Sequence, residues 1–227
     1  MSKLFLPIYF LFCQVFLFAQ KEESVEIKFV PSFGKAKLVP EKNYLLGKTD
    51  SVKIDELRFY ISKIELVQTN KVIFSEANSY HLLDFGVDSS LTISLKIPKG
   101  LNFSSLRFQL GIDSLTNVSG AMGGHLDPTM GMYWTWQSGY INFKLEGKSN
   151  LCLARNNQFI FHVGGYALEE NSLQKIELPF KKNSSTIVFD IKPFFTLVDV
   201  SKTNHIMSPG KPTVDLAEQV KTFFQVK

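Results

Sequence analysis

Apolar residues recur at every second position through most of this chain, and this alternation restricts the fold more than any other feature. The two clearest runs span residues 91–97 and 106–112, and shorter runs span residues 25–29, 141–145, 159–163, 176–178 and 187–191. Strict alternation over a few residues predicts a strand with one buried face. Because turn residues separate the runs about every ten positions, the pattern predicts an all-β fold, an antiparallel β-sandwich.

Two of the predicted strands carry further expectations. The first strand, which begins at Val25, is expected to be interrupted at Pro31 and Gly34, because proline donates no backbone hydrogen bond. The segment 57–66 lacks glycine and proline, and it predicts a longer strand in which Tyr60 and Ile64 share a face. Short strands are also predicted at residues 72–74 and 80–84.

One helix is predicted, at the C-terminus, over residues 213–225. Thr213 follows a segment rich in proline and glycine and is a suitable N-cap. Leu216, Val220 and Phe223 follow at helical spacing and form one apolar stripe. We therefore expect this helix to pack on the sheet.

The first nineteen residues have the pattern of a secretory signal peptide. Lys3 precedes an apolar run that is broken only by Gln14, and charged residues resume at Lys21. No later segment approaches the length of apolar sequence that a transmembrane helix needs. We therefore expect a signal peptide at 1–19 and a single mature domain at 20–227, exported to the periplasm or the cell surface.

The cysteine count argues against an internal disulfide framework, and the charge pattern argues against nucleic-acid binding. Cys13 is removed with the signal peptide, so Cys152, between two leucines, is the only mature thiol and is predicted to be a buried apolar residue. The basic and acidic residues are interspersed, and the three arginines, Arg58, Arg107 and Arg155, are far apart. Nucleic-acid binding, which draws on clustered positive charge, is therefore not expected.

Residues 121–147 are rich in side chains that can bind soft metals. This stretch contains both tryptophans, Trp134 and Trp136, together with His125 and three methionines. Thioether sulfur suits Cu(I), and imidazole suits copper, zinc, iron and nickel. The alternative is that the methionine and tryptophan side chains only pack the loop.

The four histidines, His81, His125, His162 and His205, are far apart in sequence and match no spacing rule for a metal site. Any metal site must therefore be assembled from separate strands and loops. His162 is out of phase with the apolar residues of its strand, so its side chain is predicted to face the other side. His125 lies between Met122 and Met130, and His205 lies two residues before Met207.

Features of hydrolytic enzymes are weak in this sequence. Ser138 lies between Trp136 and Tyr140, where a nucleophile elbow requires two glycines. Asp113 and Ser114 could form a triad with His125 only in a geometry that sequence proximity does not supply. We therefore expect a protein that is not an enzyme.

Stacking of sugars on exposed aromatic side chains, as in a carbohydrate- or surface-binding module, is the alternative function.

Several motifs resemble those of the MbnP-like family of secreted copper-binding proteins. The most specific is GMYWTWQSGYINFKLEG at residues 131–147, and shorter ones follow the family's order: DELRFYISKI at 55–64, LLDF at 82–85, GIDS at 111–114, FHVGG at 161–165 and IMSP at 206–209. Together they extend over nearly the whole mature chain. The resemblance implies a β-rich protein that binds one copper ion for capture, storage or delivery.

The resemblance also implies which residues form the copper site. In some members a tryptophan is oxidised to kynurenine by a di-haem, peroxidase-like partner, and the kynurenine joins histidines around copper. Here Trp134 and Trp136 occupy the two indole positions of the motif at 131–147, and His162 occupies the histidine position of the FHVGG piece at 161–165. His125 lies in a loop where the family often has a histidine, although GGHLDP differs from the Asn-His form of other branches. His81 and His205 are alternative ligands.

Overall fold

The structure is a computed structural model that describes residues 21–137, 139–182 and 186–227. The predicted signal peptide lies outside the described residues. Within them, no helix is both long and apolar enough to cross a membrane.

Strands account for most of the regular structure. They are β1 (Glu22–Phe33), β2 (Ala36–Lys37), β3 (Asn43–Leu45), β4 (Ser51–Gln68), β5 (Lys71–Ser75), β6 (Tyr80–Asp84), β7 (Thr92–Pro98), β8 (Ser105–Leu110), β9 (Tyr133–Trp134), β10 (Gly139–Ser149), β11 (Gln158–Gly164), β12 (Gln174–Pro179), β13 (Thr186–Asp190), β14 (His205–Ile206) and β15 (Phe224–Val226). The α-helices are α1 (Ser114–Val118), α2 (Phe194–Leu197) and α3 (Lys211–Val220).

The strands form two sheets, which confirms the predicted β-sandwich. The smaller sheet has the order β15-β13-β1-β2, with β7 paired to β1 as well. The larger sheet has the order β12-β8-β4-β10-β11-β14, and β3, β5 and β6 pair with the other edge of β4. Phenylalanines from both sheets meet in the core, where Phe29 of β1 lies 6.4 Å from Phe59 of β4, measured between ring centroids.

Two of the strand pairs are parallel, in addition to the antiparallel pairs that were expected. They are β1 with β13 and β11 with β14. Alternation of apolar residues indicates which face of a strand is buried, but it is the same for either direction of the neighbouring strand. The pattern in the sequence therefore predicts the sandwich, but it does not predict whether the strands of these two pairs run parallel or antiparallel.

The expected interruption at Pro31 is wrong, because β1 continues through Pro31 to Phe33. Pro31 is aligned with Phe189 of β13, and its carbonyl accepts a hydrogen bond from the backbone N–H of Leu38 at 2.9 Å. Proline removes one donor but keeps its acceptor, so the pairing continues. The chain turns instead at Gly34, whose φ of +62° favours glycine.

The expectation that Tyr60 and Ile64 share a face is also wrong. Lys63 has a φ of +49°, and the pairing of β4 with β8 shifts its register between Ser62 and Glu65. This bulge reverses the alternation, since one extra residue moves every later side chain to the other face. Ile64 therefore packs in the main core, while Tyr60 packs in a second cluster on the outer face of the larger sheet.

The C-terminal helix has different ends from those predicted. It begins at Lys211, after Gly210, and the Thr213 hydroxyl donates to the Gly210 carbonyl at 2.6 Å. Residues 221–223 form a 3₁₀ turn, and the last residues form β15, which pairs with β13. The apolar stripe of Leu216, Val220 and Phe223 is buried as predicted.

The thiol of Cys152 is buried, as predicted. Its Sγ donates to the carbonyl of Gln158 at 3.0 Å, and the residue has no exposed surface. The cysteine therefore acts as a packing residue at the turn between β10 and β11.

Candidate metal centre

A long loop, residues 119–137, covers part of the outer face of the larger sheet, and side chains of the sheet hold it there. The Tyr60 hydroxyl donates to the carbonyl of His125 at 3.0 Å, and the Tyr140 hydroxyl donates to that of Leu126 at 3.0 Å. Arg58 donates through Nη1 to the carbonyl of Met130 at 3.0 Å. These bonds fix the path of the loop, and so they fix the positions of its histidine and tryptophans.

Apolar side chains fill the space beneath this loop. The second cluster joins three loop residues to the sheet and to the loops beside it, and its buried members are Tyr60, Leu82, Ile112, Leu126, Met132, Trp134, Tyr140 and Ile141. Met132 has no exposed surface, whereas Met122 and Met130 are exposed. One of the three methionines in this stretch is therefore a packing residue. For Met132 this agrees with the alternative that the methionines of the stretch pack the loop.

His162 faces the outer side of the larger sheet, opposite to the core residues Phe161 and Val163, as predicted. Its Nε2 lies 2.8 Å from Oε1 of Glu146 on β10, and only 8% of the side chain is exposed. The hydrogen bond from His162, with a further contribution from Lys144, lowers the pKa of Glu146 from its ordinary value of 4.5. An ionised carboxylate beside Nε2 holds the proton on that nitrogen, so Nδ1 of the neutral ring carries a lone pair.

Nδ1 of His162 is buried, and none of the described residues offers it a hydrogen-bond partner. Buried polar atoms are nearly always paired, so an unpaired one requires an explanation. Histidines that bind metals usually donate their other ring nitrogen to a carboxylate or a carbonyl, as His162 does to Glu146. The pair therefore has the arrangement of a metal ligand and its supporting carboxylate.

Trp134 lies beside His162 on the same face. Its ring contacts Gly164 so closely that a Cβ there would lie 2.7 Å from Cζ3 of the indole. Gly164 follows His162 by two positions in β11, and residues two apart in a strand share a face. Nε1 of Trp134 is also buried without a partner among the described residues. The buried indole thus packs on β11 through its six-membered ring at Gly164, two residues from His162.

Trp136 differs from Trp134 in exposure. The centroids of the two indoles lie 6.0 Å apart, but 64% of Trp136 is exposed and only 4% of Trp134. The short strand β9 pairs Trp134 with Gly139 and turns its ring inwards, whereas Trp136 follows β9 in the turn. The tryptophan motif therefore supplies one buried indole and one surface indole.

His81 and His125 form a separate pair at the edge of β6, with ring centroids 5.9 Å apart. Nε2 of His81 lies 2.8 Å from Oε2 of Glu76, and the backbone N–H of Leu82 donates to Nδ1 of His125 at 3.2 Å. Desolvation and then the neighbouring His81 lower the pKa of His125, which favours its neutral form. A neutral ring that accepts through Nδ1 carries its proton on Nε2, so His125 offers no lone pair to a metal ion in this arrangement.

His205 is exposed on β14, which pairs with β11 so that His205 is aligned with Ile160. Ile160 precedes His162 by two positions, so His205 lies on the same face as His162. Continuing the parallel register brings Met207 level with His162. His205 and Met207 are therefore closer to His162 than sequence distance suggested.

The histidines thus occupy two places on the larger sheet and do not converge on one centre. His81 belongs to β6 and His162 to β11, and β4 and β10 lie between them. Three strand spacings of about 4.8 Å separate the two strands by roughly 14 Å. Among the described residues, no group of three or more His, Cys, Asp or Glu side chains could hold a metal ion. A metal ion at His162 would therefore need sulfur or a modified side chain among its ligands.

Sequence reasoning missed the two carboxylates that orient these histidines, Glu76 and Glu146. Glu146 follows Asn142 and Lys144 at the outward positions of its strand, and the position of a carboxylate on that face is a signal that could have identified it. Its contact with His162 depends on the pairing of β10 with β11, which no local pattern reports.

Other residues considered from sequence have structural contacts. Asp113 caps α1 by accepting from the backbone N–H of Thr116, and Ser114 donates to the carbonyl of Tyr166 at 2.9 Å rather than to a histidine. Of the four aromatic residues considered for sugar stacking, Trp134 and Tyr140 are buried, Tyr133 is partly buried and Trp136 is exposed. Ser138 lies outside the described residues.

Comparison with known proteins agrees with the resemblance in the motifs. The model of the MbnP family matches residues 22–208 of the chain. A solved structure, MbnP from Methylosinus trichosporium, is similar with a TM-score of 0.65 and 17% sequence identity, over 86% of this chain and 87% of that one. At this identity the structural likeness supports the fold alone. A search of curated protein sequences finds no significant match.

Proposed function

Because the family model matches most of its length, this chain belongs to the MbnP family, and on that premise we propose that it is an exported copper-binding protein. It would bind one copper ion for capture, storage or delivery, and would not itself be an enzyme. The observation that carries the proposal is the buried, unpaired Nδ1 of His162 beside the carboxylate-bound Nε2.

The residues around His162 fit a copper ion. Coordination would satisfy Nδ1, whose burial without a partner is otherwise unfavourable. Glu146 would fix the ring and its tautomer, and Lys144, 3.4 Å from Glu146, would keep that carboxylate ionised. His205 on β14 and Met207, which follows that strand, can complete the site, since copper accepts both imidazole and thioether ligands.

Trp134 is the better candidate for conversion to kynurenine. The nitrogen of an indole has no lone pair free for a metal, whereas kynurenine carries an aryl amine derived from that nitrogen, together with a ketone. Nε1 of Trp134 is buried without a partner among the described residues, and the Trp134 ring packs on Gly164, two residues from His162, while Trp136 is exposed. The oxidant for this conversion would come from a di-haem, peroxidase-like partner, as the family resemblance implies.

Copper analysis of two matched histidine variants tests the proposal. We expect His162→Ala to lose bound copper and His125→Ala to keep it, because His162, unlike His125, has a ring nitrogen available to a metal ion. The copper content of each variant after loading and desalting would be measured together with its folded state. Equal copper content in both variants, or retention on immobilised glycans without any copper binding, would refute the proposal.

A further inference from the structure

Six large apolar side chains are exposed on α1, on the loop that follows it and on the turn before β12. Five of them belong to α1 and the long loop that follows it, and the sixth belongs to the turn before β12: Leu115, Val118, Met122, Met130, Trp136 and Leu168. We call these six residues the end surface. Scattered apolar residues are normal on a protein surface, but a cluster of large ones marks an interaction site.

The elements that carry the end surface are joined to one another. The backbone N–H of Tyr140 donates to Oδ1 of Asn117 in α1 at 2.8 Å, and the backbone N–H of Met122 donates to the Tyr140 hydroxyl at 3.1 Å. Ser114 bonds the carbonyl of Tyr166, which brings the turn bearing Leu168 next to α1. These bonds place α1, which carries Leu115 and Val118, next to Met122 and next to the turn that carries Leu168.

Charge distinguishes the end surface from the rest of the protein. The chain carries a net charge of +4, yet residues 108–143 and 164–173 contain no lysine or arginine. The same segments contain four carboxylates: Asp113, Asp127, Glu169 and Glu170. Arg58 lies beneath the loop, but it is neutralised by ion pairs with Glu56 and Asp84. An apolar centre with an acidic rim therefore lies on a basic protein.

We propose that the end surface is the docking site for a partner protein whose contact face is apolar at its centre and basic at its rim. Apolar residues in the middle of a contact supply burial, and opposite charges at the rim guide the encounter. Anionic lipid surfaces and nucleic acids are disfavoured occupants, because the carboxylates would repel them. The inference goes beyond metal binding and does not depend on it.

Two probe proteins of opposite charge test the proposal. Lysozyme is basic, and calcium-loaded α-lactalbumin has the same fold with an acidic surface. We expect lysozyme, at low salt, to shift the amide signals of the ¹⁵N-labelled mature chain at residues 115–136 and near Leu168, and expect α-lactalbumin to leave them unchanged. High salt should remove the shifts.

Matched variants separate the apolar and charged parts of the surface. Leu115→Ser combined with Val118→Ser should weaken lysozyme binding about fivefold through the loss of apolar burial, and Leu45→Ser on the distant β3 should not. Glu169→Gln with Glu170→Gln should weaken binding and reduce its dependence on salt. Leu45, Leu115, Val118 and Glu169 are exposed and Glu170 is partly buried, and none of them belongs to the apolar core, so each variant should fold.

Three results would overturn the proposal. They are shifts spread evenly over the basic faces, equal shifts with both probes, and self-association of the chain through the end surface, which would assign that surface to a second copy. Each measurement would be made with and without copper. Loss of copper binding in His162→Ala with lysozyme binding intact would show that the two proposals succeed or fail separately.

Discussion

Glu146 Oε1 lies 2.8 Å from Nε2 of His162, and the opposite ring nitrogen of that histidine is buried without a partner. The carboxylate and the imidazole come from neighbouring strands, β10 and β11, and both face outwards from the sandwich. This arrangement fixes the tautomer of the ring and leaves a lone pair on Nδ1.

Glu146→Gln should weaken copper binding by about 10- to 100-fold, because supporting carboxylates of metal-bound histidines contribute on this scale. The amide keeps the size of the side chain but removes the charge that holds the proton on Nε2. Competition with a chromogenic Cu(I) chelator would measure the affinity. Glu76→Gln, which alters the corresponding carboxylate of His81, is the matched control and should leave the affinity unchanged.

Trp134→Phe should abolish the formation of kynurenine, whereas Trp136→Phe should allow it. Trp134 is buried and packs on Gly164, two residues from His162, whereas Trp136 is exposed. Intact-mass measurement and peptide mapping of each variant, produced together with its natural oxidising partner, would detect the change. A kynurenine mapped to position 136 would contradict the assignment, and an unmodified wild-type protein with full copper occupancy would remove kynurenine from the site.

Gly164→Ala should destabilise the protein by about 1–3 kcal/mol and displace the Trp134 ring, because the added Cβ would lie 2.7 Å from Cζ3. Denaturant titration would give the free energy of unfolding, and tryptophan fluorescence would report the displacement. Gly123→Ala is the control, since nothing lies within 4 Å of its Cβ position and its φ is −96°. Equal stability of the two variants would show that Gly164 is not needed for the packing of Trp134.

Acid should destabilise the fold partly through Glu76. Burial alone would raise the pKa of Glu76, but hydrogen bonds from His81 and Ser79 outweigh it and lower the pKa below its ordinary value of 4.5. A lowered pKa contributes stability above the unfolded value, and this contribution is lost as the pH falls through the folded value. The free energy of unfolding should therefore fall between about pH 5 and pH 3, and less steeply in Glu76→Gln. Glu26→Gln, an exposed change on β1, should keep the wild-type pH dependence.

Local pattern was sufficient for much of the fold. Alternation identified the strands and their buried faces, including the outward direction of His162, because successive side chains of a strand point to opposite sides whatever their neighbours. The spacing of Leu216, Val220 and Phe223 likewise identified the buried stripe at the C-terminus. Where the pattern failed, a single residue had changed the geometry, as Lys63 did by forming the bulge in β4.

The sequence by itself determined the sandwich, the family and the residue types available for a metal site. Only the tertiary structure decided which of those residues meet. It separated His81 and His125 from His162 by placing two strands between them, and it joined Glu146 to His162 and Gly164 to Trp134. The physical reason is that strand order and register depend on contacts between remote segments, which alternation within a single strand does not encode.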